Sequence, residues 1–313
     1  MSIVKCWILL ALVSALAQAQ FAGGVPLTYQ YSNTPYLGPS TQTWLVWYGP
    51  WTDTTTQAAV VDYVQNSLSL TPNVSIANIY PVGPQKKVFT GGSFVFAGQV
   101  SVPYSSTYSG GVNNQFVQGA GGEQALAGAL INAGTIPNPT LDGQGRSNTF
   151  IVILLAPGIT TNTSGACAYS DWASLSYGLS VILDQTTSAT SCPYGPFNNK
   201  VSGTITSDEI IQGLTLESVQ VIGAHSWTYS TRSISELCTA NAATPSTAPT
   251  SWCSGTGVCQ YTVMLNTSVG ARYYYLPQTY VNMPPGSSFG ACASSYLPSQ
   301  SGFAVIAEKG IRP

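Results

Sequence analysis

Two runs, Trp44-Leu45-Val46-Trp47-Tyr48 and Thr149-Phe150-Ile151-Val152-Ile153-Leu154-Leu155, are β-prone and apolar at nearly every position. A strand with one face in water alternates apolar and polar residues, so runs without alternation belong to strands covered on both faces. Gly49-Pro50 ends the first run and Pro157-Gly158 the second. After the first, Thr52 or Asp53 can cap a helix reaching about Leu70, in which Val60, Val61, Val64 and Leu68 recur at helical spacing. Strand followed by helix predicts an α/β fold, a single layered domain with a mixed β-sheet flanked by helices. At 313 residues the chain is long enough to bury such a core.

Further strands are expected from Ser75 to Tyr80 and from Ser93 to Val102, with Tyr261 to Leu265 and Tyr273 to Leu276 closing the sheet. A helix is expected from Glu123 to Ala133. A second follows Ser207-Asp208-Glu209, a cap and acidic first turn, and reaches about Trp227. Asn241 to Gly257 is a Pro/Ser/Thr-rich loop. No internal repeat or clear linker divides the chain.

The N-terminus reads as a secretory signal. Lys5 precedes the apolar run Cys6 to Val13, and Ala17-Gln18-Ala19 has the small residues of a signal-peptidase site, so residues 1–19 are expected to be removed. Residues 20–41 form an extended lead-in, 42–292 the folded domain and 293–313 a tail. The apolar run is shorter than the roughly 20 residues needed to cross a bilayer, and no later stretch reaches that length, so no membrane span is expected. Loss of Cys6 leaves Cys167, Cys192, Cys238, Cys253, Cys259 and Cys292, an even number suited to disulfides in an oxidising compartment. Three sequons, at Asn73, Asn162 and Asn266, suit the same extracellular route.

Only 6% of residues are charged, eleven acidic against nine basic, which argues against nucleic acid or an anionic membrane as partner. An uncharged hydroxyl and amide surface suits a polysaccharide-rich surrounding. The chain has one histidine, His225. Ser-His-Asp and Cys-His mechanisms therefore converge on that residue, and no Gly-x-Ser-x-Gly or His-Glu-x-x-His motif occurs. The apolar stretch before His225 makes a structural histidine the simpler reading. Asp208, Glu209 and Asp184 are an available acid set for glycoside hydrolysis, with capping and solvation as their ordinary use. Trp44, Trp47, Tyr48, Trp51, Trp172, Tyr273, Tyr274 and Tyr275 offer stacking surfaces for sugars, or core. No cofactor is expected.

Trp44 to Thr52, with the helix from Val60 to Ser69, resembles the opening of the exordium-like, phosphate-induced protein family of plants. Four later segments resemble it in the same order: Ser191-Cys192-Pro193 with Pro196-Phe197, Val221-Ile222-Gly223, Ile234-Ser235-Glu236-Leu237-Cys238, and Gly270 to Pro277 ending at Cys292. The resemblance implies a secreted extracellular or cell-wall protein linked to growth or nutrient responses, without established chemistry, its partner a wall polysaccharide or an extracellular receptor. It also implies pairings. The family carries two cysteines near Cys167 and two near Cys192, and this chain keeps one of each, which implies Cys167 with Cys192, Cys238 with Cys292, and a local Cys253–Cys259 loop. Where some relatives have His-Glu, His225 is displaced by one position, which rotates it by ~100° around a helix. His225 and Glu236 are the weak metal candidates, fewer than the roughly three protein ligands of a catalytic zinc. Two alternatives stay open: a metallopeptidase-like hydrolase with a degenerate metal site, and a wall-polysaccharide-binding module.

Overall fold

The computed structural model describes residues 28–29, 36–77, 81–82, 87–88, 93–143, 145–162, 168–171, 176–183, 203–222, 227–229, 232–233, 260–277, 279–281, 291–293, 296–297 and 304–305. Both apolar runs are strands. β1 (Tyr36–Tyr48) and β3 (Arg146–Leu155) pair in parallel, with Trp44 opposite Ile151 and Tyr48 opposite Leu155. β2 (Ser93–Val102) pairs in parallel with the other edge of β1, and β5 (Gly178–Leu183) in parallel with β3. β4 (Ala168–Asp171) is antiparallel to β5 and completes a mixed five-stranded sheet in the order β2-β1-β3-β5-β4.

The central strands are buried on both faces, as their lack of alternation requires. Val46, Tyr48, Ile151, Ile153, Leu155, Leu179, Val181 and Leu183 form one core with Leu126 and Ala127 of α3 (Glu123–Asn132). The alternate residues, among them Leu45, Trp47, Phe150, Val152 and Leu154, are also buried. They belong to the opposite face, since successive side chains of a strand point to opposite sides. That side carries α1 (Thr54–Asn66) and α4 (Ile205–Val221), which pack on each other.

α1 starts where the sequence places it. Asp53 is its N-cap, accepting from Thr55 N and Thr56 N at 3.0 Å each, and these bonds hold the Asp53 carboxyl below its ordinary range, the Thr56 hydroxyl contributing most. At α4 the cap is Thr204 rather than Ser207. Thr204 Oγ1 accepts from Ser207 N, and Ser207 Oγ accepts from Thr204 N, each at 2.9 Å, a reciprocal capping box that puts Ser207 in the first turn. The two helix starts meet through Thr56 and Thr204, whose hydroxyls lie 2.6 Å apart.

α4 is buried on every side from Ser207 to Val219, so its polar groups must be satisfied internally. Thr215 and Ser218 donate to the carbonyls one turn back, and Tyr63 of α1 shares a 2.6 Å hydrogen bond with the Thr215 hydroxyl.

Four expectations need correction. Of the strand expected from Ser75 to Tyr80, the described part, Ser75 to Ala77, lies in a short helix, α2 (Pro72–Ala77). Pro72 presets its first turn, and Val74 N reaches the Thr71 hydroxyl at 3.4 Å. β1 begins at Tyr36, inside the segment read as lead-in. The helix expected to reach Trp227 ends at Val221, and Trp227–Tyr229 is a strand pairing with Thr28–Tyr29. β6 (Gln260–Thr267) and β7 (Gly270–Pro277) form their own hairpin instead of closing the sheet. The reason is a second layer outside the helices: Tyr274 stacks edge-on against Tyr63 with centroids 4.8 Å apart and bonds Ser67 at 2.8 Å, while Arg272 pairs with Asp62 at 2.8 Å.

No helix among the described residues is long and apolar enough to cross a membrane.

Candidate functional site

In open sheets of parallel strands, ligands bind outside the carboxyl ends of the strands where successive connections diverge to opposite sides. Here β1 connects outward to β2, while β3 leads the other way to β5, so that place lies between the ends of β1 and β3. The described residues there pack against one another. Ala156 N donates to Tyr48 O at 2.9 Å and Gly49 N to Val102 O at 2.8 Å, continuing the pairing beyond the strand ends. The indole N–H of Trp51 donates to Leu154 O at 2.9 Å, and its ring meets Trp47 edge-on with centroids 5.0 Å apart. Ile159 lies so close over Gly49 that a Cβ there would stand 2.4 Å from Ile159 Cδ1. Gly49 has φ +95°, a conformation that glycine adopts without steric cost.

Among the described residues, two carboxylate systems flank the edge strand β4, one on each face. Glu123, at the start of α3, is 0% exposed. Gly119 N donates to its Oε1 at 2.6 Å, and the Tyr169 hydroxyl of β4 lies 3.4 Å from its Oε2. Asp171 adjoins it and accepts from Gln124 Nε2 at 2.6 Å. Burial pushes the Glu123 carboxyl up to about 7, and Asp171 adds to the rise. Burial likewise raises Tyr169, followed by the charge of Glu123. Arg146 and Arg272 are held by Asp142 and Asp62.

On the other face of β4, the Ser170 hydroxyl joins two elements. It makes a short hydrogen bond to Glu217 of α4 and lies 2.8 Å from the Ser180 hydroxyl of β5. Glu217 is nearly fully buried and Ser180 fully so. These contacts tie α4 to the sheet edge.

His225, Glu236, Asp184, Trp172, Cys167, Cys192, Cys238, Cys253 and Cys259 lie outside the described residues. The backbone of Cys292 is in the strand Ala291–Ala293, opposite Tyr280. Asp208 and Glu209 are buried on α4. Trp47 and Tyr48 are core, Trp44 packs over Gly98, and Tyr273 is exposed while its neighbour Tyr274 is buried. Of the sequon asparagines, Asn162 and Asn266 are exposed. Asn73 is 0% exposed, which is at odds with a glycan in the folded chain. Among the described residues no group of three His, Cys, Asp or Glu side chains is placed to hold a metal ion.

Sequence reasoning missed Glu123, Tyr169, Asp171, Ser170 and Glu217. Glu123 was visible only as an acidic residue in a helix's first turn. Nothing local indicates that Tyr169, 46 residues away, lies against it.

No family model, no curated protein and no solved structure matches this chain.

Proposed function

We propose that this chain is a secreted, non-enzymatic extracellular or cell-wall protein of the exordium-like type, linked to growth or nutrient responses. The observation that carries the non-enzymatic part is the packing between the ends of β1 and β3. There Trp51 donates to Leu154 O and Ile159 lies against Gly49, at the place where an open α/β sheet takes a substrate. The buried carboxylates support the same reading, because Glu123 bonds the loop before α3 and Glu217 bonds the edge strand. Secretion is supported by the N-terminal apolar run with Ala17-Gln18-Ala19, the six later cysteines and the sparse charge. The family assignment is supported by the ordered segments from Trp44 to Cys292. A wall polysaccharide or an extracellular receptor is the corresponding partner.

The test is expression of the full chain in plant cells and recovery from the medium. The expected product begins at Gln20 and leaves panels of peptides and wall glycans intact. Turnover of any of these by the purified protein, lost in both Glu123→Gln and Glu217→Gln, would overturn the non-enzymatic reading. Retention inside the cell with residues 1–19 in place would overturn secretion.

A further inference from the structure

We infer that Asn266 carries an N-linked glycan whose first sugar packs on the exposed ring of Tyr273. The three sequons are equivalent in sequence, and the fold separates them. Asn73 is 0% exposed within α2. Asn162 is exposed, with its Oδ1 accepting from Gln118 N at 2.7 Å. Asn266 is exposed at the end of β6, where the hairpin turns.

The register of that hairpin supplies the second observation. Asn266 stands opposite Ala271, and Tyr273 is two residues further along β7. Directly opposed residues share a face, as do residues two apart on one strand, so Asn266, Ala271 and Tyr273 lie on one side of the hairpin. The other side faces the molecule, since Leu265, Tyr274 and Leu276 are buried and Arg272 is held by Asp62. Tyr273 is 54% exposed, so its ring is open on that side. Diagonal neighbours in a sheet lie about 7–8 Å apart, within reach of an aromatic ring, and the small Ala271 leaves the space between them open. An aromatic ring presents an apolar face to the C–H groups of a sugar.

The turn presents the sequon. Thr267 Oγ1 donates to Gly270 O at 2.7 Å and accepts from Val269 N at 3.3 Å, and Gly270 takes φ +110°. Thr267 thus fixes the turn, while Ser268, the hydroxyl residue of the sequon, is exposed. In the reaction Asn266 Nδ2 bonds to the anomeric carbon of a lipid-diphosphate-linked oligosaccharide. The anomeric carbon–oxygen bond breaks, the lipid diphosphate leaves and the amide releases one proton.

The inference rests on the secretory reading, so the experiment separates the two. The full chain is secreted from a eukaryotic host, and each asparagine is assigned by glycopeptide mass spectrometry before and after enzymatic deglycosylation. Asn266 is expected to be modified and Asn73 unmodified. Deglycosylation is expected to lower Tm by about 2 °C in the parent chain and to leave that of Tyr273→Ala unchanged. Asn266→Gln, which lacks the acceptor, is expected to match the deglycosylated parent. A secreted chain with Asn266 bare, whether or not Asn162 is modified, overturns the inference and leaves secretion standing. So does an equal loss of Tm in the parent and in Tyr273→Ala. A chain retained unprocessed in the cell overturns the secretory reading, and this inference with it.

Discussion

At Glu123 a carboxyl is buried beside another carboxylate, with Gly119 N, Tyr169 and Asp171 around it. In the unfolded chain this group titrates near 4.5, and in the fold it is pushed up to about 7. Between those values the folded chain keeps a proton that the unfolded chain has released. The associated stability is therefore fully present below pH 4.5, falls as pH rises and is gone above about 7. Glu123→Gln keeps an oxygen for Gly119 N and cannot ionise, so its stability is expected to lose this pH dependence. Urea unfolding from pH 4 to 8 checks this; equal slopes for the two proteins would contradict it. The residue type was legible in sequence as an acidic helix start. Its proton affinity was not, because that affinity depends on burial and on Asp171, which a separate strand delivers.

Among the elements, the β1–α1 unit was the most legible. Wholly apolar residues indicate the strand, Gly49-Pro50 its end and Thr52 or Asp53 the cap of the following helix, of which the fold uses Asp53. The need for glycine at position 49 is a tertiary matter, because Ile159 arrives from the segment that follows β3. Gly49→Ala meets Ile159 Cδ1 at 2.4 Å and Ala156 Cβ at 3.0 Å while holding φ +95°. The left-handed backbone costs about 1–2 kcal/mol and the overpacking about 1–3 more. Adding Ile159→Val, which removes Cδ1, is expected to recover part of the second cost and none of the first. A double-mutant cycle by chemical denaturation checks this, with additive losses as the opposing result. α2 was misread as a strand because Ser75 to Tyr80 lacks helical periodicity. The deciding signal was upstream, in Thr71-Pro72. The β6–β7 hairpin was legible as two strands, but their docking on Tyr63, Ser67 and Asp62 of the α1 region was not.

For the molecule as a whole, sparse charge means that apolar burial and hydroxyl contacts hold the layers together. Tyr63 with Thr215, Thr56 with Thr204, and Ser67 with Tyr274 each join elements distant in sequence through uncharged groups. The ion pairs Arg146–Asp142 and Arg272–Asp62 are partly exposed. Raising sodium chloride from 0.05 to 0.5 M is accordingly expected to change unfolding free energy by less than about 1 kcal/mol. Denaturation at fixed pH measures it, and a larger loss would mean that ion pairs dominate. Composition determined this much, along with an α/β class, the two central strands and the start of α1, because strand burial and helix capping are written in neighbouring residues. Only the tertiary structure decided that Trp51 bonds Leu154 and Ile159 packs against Gly49, that Asp171 meets Glu123 and that Ser170 meets Glu217. Each of those contacts joins segments far apart in the chain, and their proximity follows from strand order and layer packing, which local sequence does not encode.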